Sequence, residues 1–260
     1  ESIVLRLLAQ ENVEYNLGSV GMDAQQLSFV ESLIERPYGM MLVTGPTGSG
    51  KTTTLYGVLR RLNSVSRKIL TVEDPVEYQI SGINQIQVKP QIDLTFANAL
   101  RSLVRQDPDV LLIGEIRDKE TADIAIESAL TGHLVLSTLH TNDAPGAITR
   151  LRDIGIESFL MADSLLAILA QRLVRVLCPN CREAYEAREA DQVRLREVLS
   201  DVPANPILYQ NKGCDKCGHT GYRGRDGIFE ILPVSDAVRS AIVAGKNAGT
   251  ISQIVFQENY

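Results

Sequence analysis

A chain of 260 residues, 44% apolar and 22% charged, has material for one or two domains with a well-buried core. Its net charge of −6 argues against the broad basic face that nucleic-acid binders carry and leaves them only a local basic channel. No apolar run approaches the roughly 20 residues needed to cross a bilayer, and the longest candidate, residues 159–170, is broken by Asp163 and Ser164 and predicts a buried helix.

In chain order, residues 3–8 read as a strand and, with no Met ahead of Glu1, predict the end of a preceding domain. Residues 9–21, with Asn12, Asn16, Gly18 and Gly21, predict a linker, and no secretory signal pattern opens the chain. Asp23 predicts the cap of a helix reaching Glu35, with Leu27, Val30, Leu33 and Ile34 on one face and Pro37-Tyr38-Gly39 as its stop. Short apolar runs at 40–44, 68–72, 83–88, 110–114 and 134–139 predict strands, with helical patterns between most of them, notably 96–105 and 119–130. That alternation predicts an α/β fold with a mainly parallel sheet covered by helices, in which 83–88 is allowed as one arm of an antiparallel excursion. Beyond Asp143 the pattern turns mostly helical, most clearly at 145–151 and 158–173. Every cysteine falls in 178–225, and the charged middle of that region, 183–201, predicts an exposed helix or helical hairpin. Residues 235–260 read as helix in part and end abruptly.

Gly45-Pro46-Thr47-Gly48-Ser49-Gly50-Lys51-Thr52 fits G-x-x-x-x-G-K-[ST]. A triphosphate demands several backbone N–H groups turned towards it, and glycine permits that close approach and those torsions. Lys51 would meet the β/γ-phosphates, the Thr52 hydroxyl would ligate Mg²⁺, and Thr53 opens a helix whose positive end faces the anion. The strand ahead of the loop and the helix behind it distinguish a phosphate loop from a glycine-rich turn.

The apolar run 110–113 leads into Gly114-Glu115, so a buried strand delivers a carboxylate to the phosphate side. Gly114 stands where an Mg²⁺-ordering Asp is usual. Glu115 is left to orient Mg²⁺ through water, to polarise the attacking water, or both. Glu73-Asp74-Pro75-Val76-Glu77 places three acids in five residues, a cluster suited to a metal or a reacting water, and Pro75 stops the strand before it. Glu77 is the candidate general base, with Glu73 in support. His133 and His140 bracket an apolar strand on opposite faces, so they do not share a metal, and His140 at the strand end suits a γ-phosphate sensor. Arg101 and Arg105, four apart on one helical face, and Arg117, close after Glu115, are candidates for stabilising phosphoryl-transfer charge within or between subunits.

The four cysteines form two C-x-x-C pairs, Cys178 with Cys181 and Cys214 with Cys217, the spacing of a closed Cys₄ Zn²⁺ site with a structural role. Disulfides and an iron–sulfur cluster are the alternatives, and the reducing compartment expected of a phosphate-loop enzyme weighs against disulfides.

The phosphate loop, the acidic box 73–77, the Gly114-Glu115 strand end and the histidine box 131–140 follow one another in the order of the secretion ATPase superfamily, which serves type II secretion, type IV pilus assembly and related systems. The chain resembles that superfamily from residue 1 to residue 235, and residues 236–260 match less well. The paired C-x-x-C segment points to an assembly or secretion motor, and residues 147–156 and 171–175 look most like type II secretion members. The resemblance implies a RecA-like P-loop NTPase core at 21–175, after the end of a missing N-terminal domain and linker at 1–20. It implies a small Cys₄ zinc subdomain at 176–225 and a truncated helical part at 226–260. It further implies an ATPase acting as a homo-hexamer, with ATP and Mg²⁺ at the loop and Arg6 approaching the phosphates. Glu115 and Glu77 would be the working acids, His133 and His140 the histidine-box residues, and Arg101, Arg105 and Arg117 would act at or across subunit boundaries. The implied setting is cytoplasmic and peripheral on the inner membrane, through secretion-platform proteins, with no membrane insertion and no nucleic-acid partner. There the motor powers pseudopilus assembly and export of folded proteins.

A type IV pilus assembly ATPase is the alternative within the superfamily. A RecA-like DNA translocase is opposed by the acidic charge and by the lack of interleaved basic and aromatic residues. A nucleotide-binding scaffold without turnover would not need Glu77 and Glu115 together. No N-K-x-D base-reading motif supports a GTP switch.

Overall fold

The computed structural model describes residues 16–199 and 201–258; the strand expected at 3–8 and Arg6 lie outside the described residues. The chain divides into two compact units, one running to Arg172 and resuming at Gly227, the other Leu173–Asp226.

The first unit begins with a turn at Leu17–Ser19 and helix α1 (Ala24–Ile34). Asp23 caps α1 by accepting the Gln26 N–H at 2.8 Å, while the Gln26 side chain accepts the Asp23 N–H at 3.2 Å. This reciprocal pair satisfies amides that a helix start leaves open. Residues 17–21, part of the linker predicted at 9–21, are not a free linker, because Leu17 and Val20 are buried in the core.

Strand β1 (Gly39–Thr44) runs through the phosphate loop into α2 (Lys51–Leu62). There follow β2 (Ile69–Glu73), β3 (Asn84–Gln87), α3 (Phe96–Val104), β4 (Val110–Ile113), α4 (Lys119–Leu130), β5 (Leu134–Leu139), α5 (Ala144–Ile154), α6 (Ser158–Ser164) and β6 (Leu165–Leu177). The second unit adds β7 (Glu183–Glu186), α7 (Glu189–Val198) and β8 (Ile207–Gln210), and β9 (Tyr222–Pro233) returns the chain to α8 (Asp236–Val243) and α9 (Ala248–Gln257). Among the described residues the large sheet has seven strands, in the order β3-β2-β4-β5-β1-β6-β9. β1 is parallel to β5 and β6, and β4 is parallel to β2 and β5. β3 is parallel to β2, so 83–88 is not an antiparallel excursion.

Successive residues of a strand face opposite sides, and β1 shows the result. Met40 and Leu42 join the cluster built with Leu100 of α3, Ile126 of α4 and Ile148 of α5. Met41 and Val43 join the opposite cluster, with Val30 of α1 and Leu55 and Leu59 of α2. Helices therefore cover both faces of the parallel sheet, as strands apolar on both sides require.

Two expectations are corrected. The helix predicted at 158–173 ends at Ser164, and Leu165 begins β6. Residues 165–171 are nearly all buried, and a strand covered on both faces loses the alternation that separates it from a buried helix. The part predicted as helical from 226 begins instead with the end of β9, where Gly224, Gly227 and Pro233 read as loop signals. The segment that follows is not separate from the core. Val238 and Ile242 of α8 and Ile251 and Val255 of α9 lie in the same cluster as Met40 and Leu42.

Within the second unit β7 and β8 pair antiparallel with α7 between them in sequence, so the charged stretch 183–201 is a strand and one helix rather than a helical hairpin. Arg182 stacks over Tyr209 at 4.7 Å and Arg175 over Tyr222 at 4.0 Å. Among the described residues no helix is long and apolar enough to cross a membrane.

Candidate active site and metal centre

Parallel pairing sets the carboxyl ends of β1, β2, β4 and β5 along one edge, where open α/β sheets bind ligands. The phosphate loop leaves β1 at this edge. Gly45 has φ 145°, Gly48 77° and Gly50 90°, a region that disfavours side chains. A Cβ on Gly45 would lie 2.4 Å from the Gln171 carbonyl oxygen and 2.7 Å from Ser49 Oγ. Gly50 caps α2 without a side-chain acceptor, leaving the first-turn N–H groups of that helix to a ligand. Ser49 Oγ is buried without a hydrogen-bond partner among the described residues. An anionic phosphate fits this set of donors. Pro46, Thr47, Thr52 and Thr53 are exposed, while Lys51 is buried. The Lys51 ammonium donates to the carbonyls of Gly45 at 2.8 Å and Pro46 at 3.1 Å. Burial lowers its pKa, and the charge of Glu115 offsets part of that effect.

Glu115 follows β4, its side chain only 11% exposed, between Arg117 Nη2 at 2.5 Å and His140 Nε2 at 3.2 Å. Glu115 first, and the charges of Glu115 and Asp74 after it, hold the Arg117 guanidinium above its ordinary pKa. Gly114 donates its N–H to Val72 at 2.8 Å, and its carbonyl accepts the Thr138 hydroxyl at 2.7 Å. A Cβ there would stand 3.3 Å from Glu73 Cα, so the close approach of β4 to β2 leaves little room for a side chain such as the usual Asp. The segment after β5 is latched to the phosphate loop, because the Thr44 hydroxyl accepts the Thr141 N–H at 2.9 Å and lies 2.7 Å from the Thr141 hydroxyl. Glu73 is buried at the end of β2, and Glu77 is half-buried on the following loop, which starts with a cis Asp74-Pro75 peptide.

In the second unit the sulfurs of Cys178, Cys181, Cys214 and Cys217 all lie within 4.8 Å of one another, and none is in a disulfide. Cys217 Sγ is 3.8 Å from both Cys181 Sγ and Cys214 Sγ. A tetrahedral Zn²⁺ with Zn–S bonds of about 2.3 Å requires sulfurs about 3.8 Å apart, so the donor set fits. The backbone N–H groups of Cys214 and Gly221 each point at Cys217 Sγ at 3.2 Å. Burial pushes the Cys217 thiol up, but these donors and the neighbouring thiols outweigh it and bring its pKa down to about 6. Burial, with the neighbouring thiols, pushes Cys181 up to about 11.

The family model described as type II/IV secretion system protein matches residues 1–259, which takes in all but the last residue of the stretch 236–260 expected to match less well. The chain belongs to that family. It is 57% identical over 242 residues to type II secretion system ATPase E of Vibrio cholerae, covering 93% of this chain and 48% of the relative. It is 51% identical over 253 residues to the type IV pilus assembly ATPase PilB of Myxococcus xanthus, covering 97% of this chain and 45% of the relative. The chain thus spans about half the length of these relatives. Among solved structures, the pilus retraction motor PilT with bound ADP superposes with a TM-score of 0.69 at 29% identity, covering 95% of this chain and 61% of that one. The fold is therefore the RecA-like P-loop core of secretion ATPases, carrying a Cys₄ cluster.

In this member of the family the sheet brings Lys51, Glu115, Arg117, His140 and the loop bearing Glu77 to one edge. It does not bring His133 there. That residue precedes β5 at the other end of the strand, with Nδ1 3.0 Å from the Ser128 carbonyl oxygen. Arg101 pairs with Glu120 and donates to Asn98 Oδ1 at 3.1 Å, and Arg105 is exposed at the end of α3. Sequence reasoning missed Tyr56, Gln85, Thr141 and Gln171. Tyr56 and Gln85 both contact Glu73, and Gln171 Oε1 accepts the Thr54 hydroxyl at 2.8 Å. No motif marks them, and a polar residue inside an apolar run, such as Gln171, is the one signal available.

Proposed function

We propose that this chain is the motor portion of a type II secretion ATPase, converting ATP hydrolysis into pseudopilus assembly and export of folded proteins. The observation that carries the reading is Glu115, held between Arg117 and His140 and coupled electrostatically to the phosphate-loop Lys51. In this reading the backbone N–H groups of the phosphate loop, Pro46 excepted, those of Thr52 and Thr53 and the Lys51 ammonium bind the phosphates of ATP, and Thr52 ligates Mg²⁺. Arg6 approaches the same phosphates. Glu77 takes the proton of the attacking water, and Glu115 orients that water or the metal ion. His140 senses the γ-phosphate, and Arg117 steadies Glu115. Arg101 and Arg105, away from the loop, act with Arg117 at or across the boundary with a neighbouring subunit of a homo-hexamer, and His133 is the second histidine-box residue. The four cysteines hold Zn²⁺ and brace their unit. Secretion-platform proteins dock the motor on the cytoplasmic face of the inner membrane, without membrane insertion or nucleic acid.

The Vibrio cholerae relative supports the secretion reading. The 51% identity to PilB supports a second one, pilus assembly by the same chemistry.

The test is steady-state ATP hydrolysis against protein concentration. Specific activity should rise with concentration as subunits complete one another's sites, and should vanish in Glu115→Gln. ATP bound without turnover at every concentration would sink the motor reading in favour of a scaffold.

A further inference from the structure

The loop 74–80 carries Glu77, and its backbone is held by side chains from outside it. Gln85 Oε1 accepts the Ile80 N–H at 2.7 Å, and Gln85 Nε2 donates to the Tyr78 carbonyl at 3.0 Å. Gln87, two residues further along β3, accepts the Val76 N–H at 3.4 Å. Gln85 Nε2 also donates to Glu73 Oε1 at 3.1 Å. That carboxylate is 3% exposed and takes two further donors, the Thr71 hydroxyl at 2.5 Å and the Tyr56 hydroxyl on its other oxygen. Tyr56 is itself 1% exposed and belongs to the helix that starts at Lys51.

A carboxylate is costly to bury unless it is hydrogen-bonded, and here three donors satisfy it. A group so committed is poorly placed to accept a proton from water. The same bonds join the helix of the phosphate loop to the loop of the candidate base. Misplacing a reacting group by about 1 Å can cost on the order of a hundredfold in rate, so a rigid polar tie between the two halves of the site has a function.

We infer that Tyr56, Glu73 and Gln85 form a positioning network that sets the Glu77 loop in register with the phosphate loop, and that Glu73 is a positioning residue rather than the proton acceptor. The inference rests on Glu77 being the base of the proposed reaction.

Tyr56→Phe and Gln85→Leu keep the shape of each side chain and remove the tie. Each should lower kcat about tenfold or more with KM for ATP changed less than about twofold, the split expected when orientation but not ground-state binding is lost. The double variant should lose less than the product of the two single losses, because the two side chains share Glu73. Amide exchange at Ile80, which needs no turnover, should quicken about tenfold in Gln85→Leu. Glu73→Gln keeps one accepting oxygen, loses the other to an amide NH₂ and takes no proton; it should be slower but keep the acidic limb of the pH–rate profile. Loss of that limb would make Glu73 the acid–base group and overturn the inference. Unchanged Ile80 exchange, or strictly additive losses, would overturn it as well. Glu77→Gln separates the two claims. Wild-type turnover in Glu77→Gln removes the base assignment and this inference with it. An inert Glu77→Gln beside fully active Tyr56→Phe and Gln85→Leu overturns the network alone.

Discussion

Gly114 shows how one residue's lack of a side chain shapes the site. A methyl group there would meet Glu73 Cα at 3.3 Å and the Val72 carbonyl oxygen at 3.4 Å, both backbone atoms that cannot turn away. Gly114→Ala should therefore cost about 1–3 kcal/mol in chemical denaturation, the usual range for overpacking a tight contact. Tyr56 offers a second test at this scale. Burial, then the hydrogen bond and charge of Glu73, raise its pKa above the ordinary 10.0. The folded chain holds that proton more tightly than the unfolded chain, so the stability it contributes is complete below about pH 10 and is lost as the pH rises above that. The urea midpoint should fall between about pH 9 and about pH 11 in the wild type and fall less in Tyr56→Phe. An equal fall in both would mean that the hydroxyl is not held as described.

β6 is the element where local pattern and tertiary context disagree. Its first half is inserted beside β1, with Ile168 on one face of the sheet and Leu169 on the other, both fully buried. Its second half carries Val174 at 42% exposure. Ile168→Ala should cost about 2–5 kcal/mol, while Val174→Ala should change stability by about 0.5 kcal/mol or less, both read from denaturant titrations. The phosphate loop was legible from its residues because its requirements are local: glycines at Gly45, Gly48 and Gly50 for the torsions, then Lys51 and Thr52. The strands β1, β4 and β5 were legible as short apolar runs bounded by polar residues. β6 was not, since a run buried on both faces has no period, and β9 was masked by its glycines.

For the molecule as a whole, the Cys₄ cluster lies in the unit Leu173–Asp226, whose buried apolar residues are few. A unit that small would draw on a metal held by these cysteines for stability. Cys214→Ser should abolish stoichiometric Zn²⁺ in elemental analysis and speed amide exchange through 173–226. The melting of the sheet unit, which has its own two-sided core, should stay near the wild-type value. Collapse of both units together would mean that they fold as one cooperative body. The sequence by itself determined the chemistry available and its order along the chain: a phosphate loop, an acid box, a strand-end glutamate and two cysteine pairs. These depend on backbone torsions and on spacings of a few residues. Only the tertiary structure decided which of these groups meet. The parallel order β2-β4-β5-β1 sets Glu115 against His140 rather than His133, and Tyr56 and Gln85 reach Glu73 from 17 and 12 residues away in sequence. Such pairings follow from which strands lie side by side, and that is settled by burying two apolar faces at once, which no local pattern encodes.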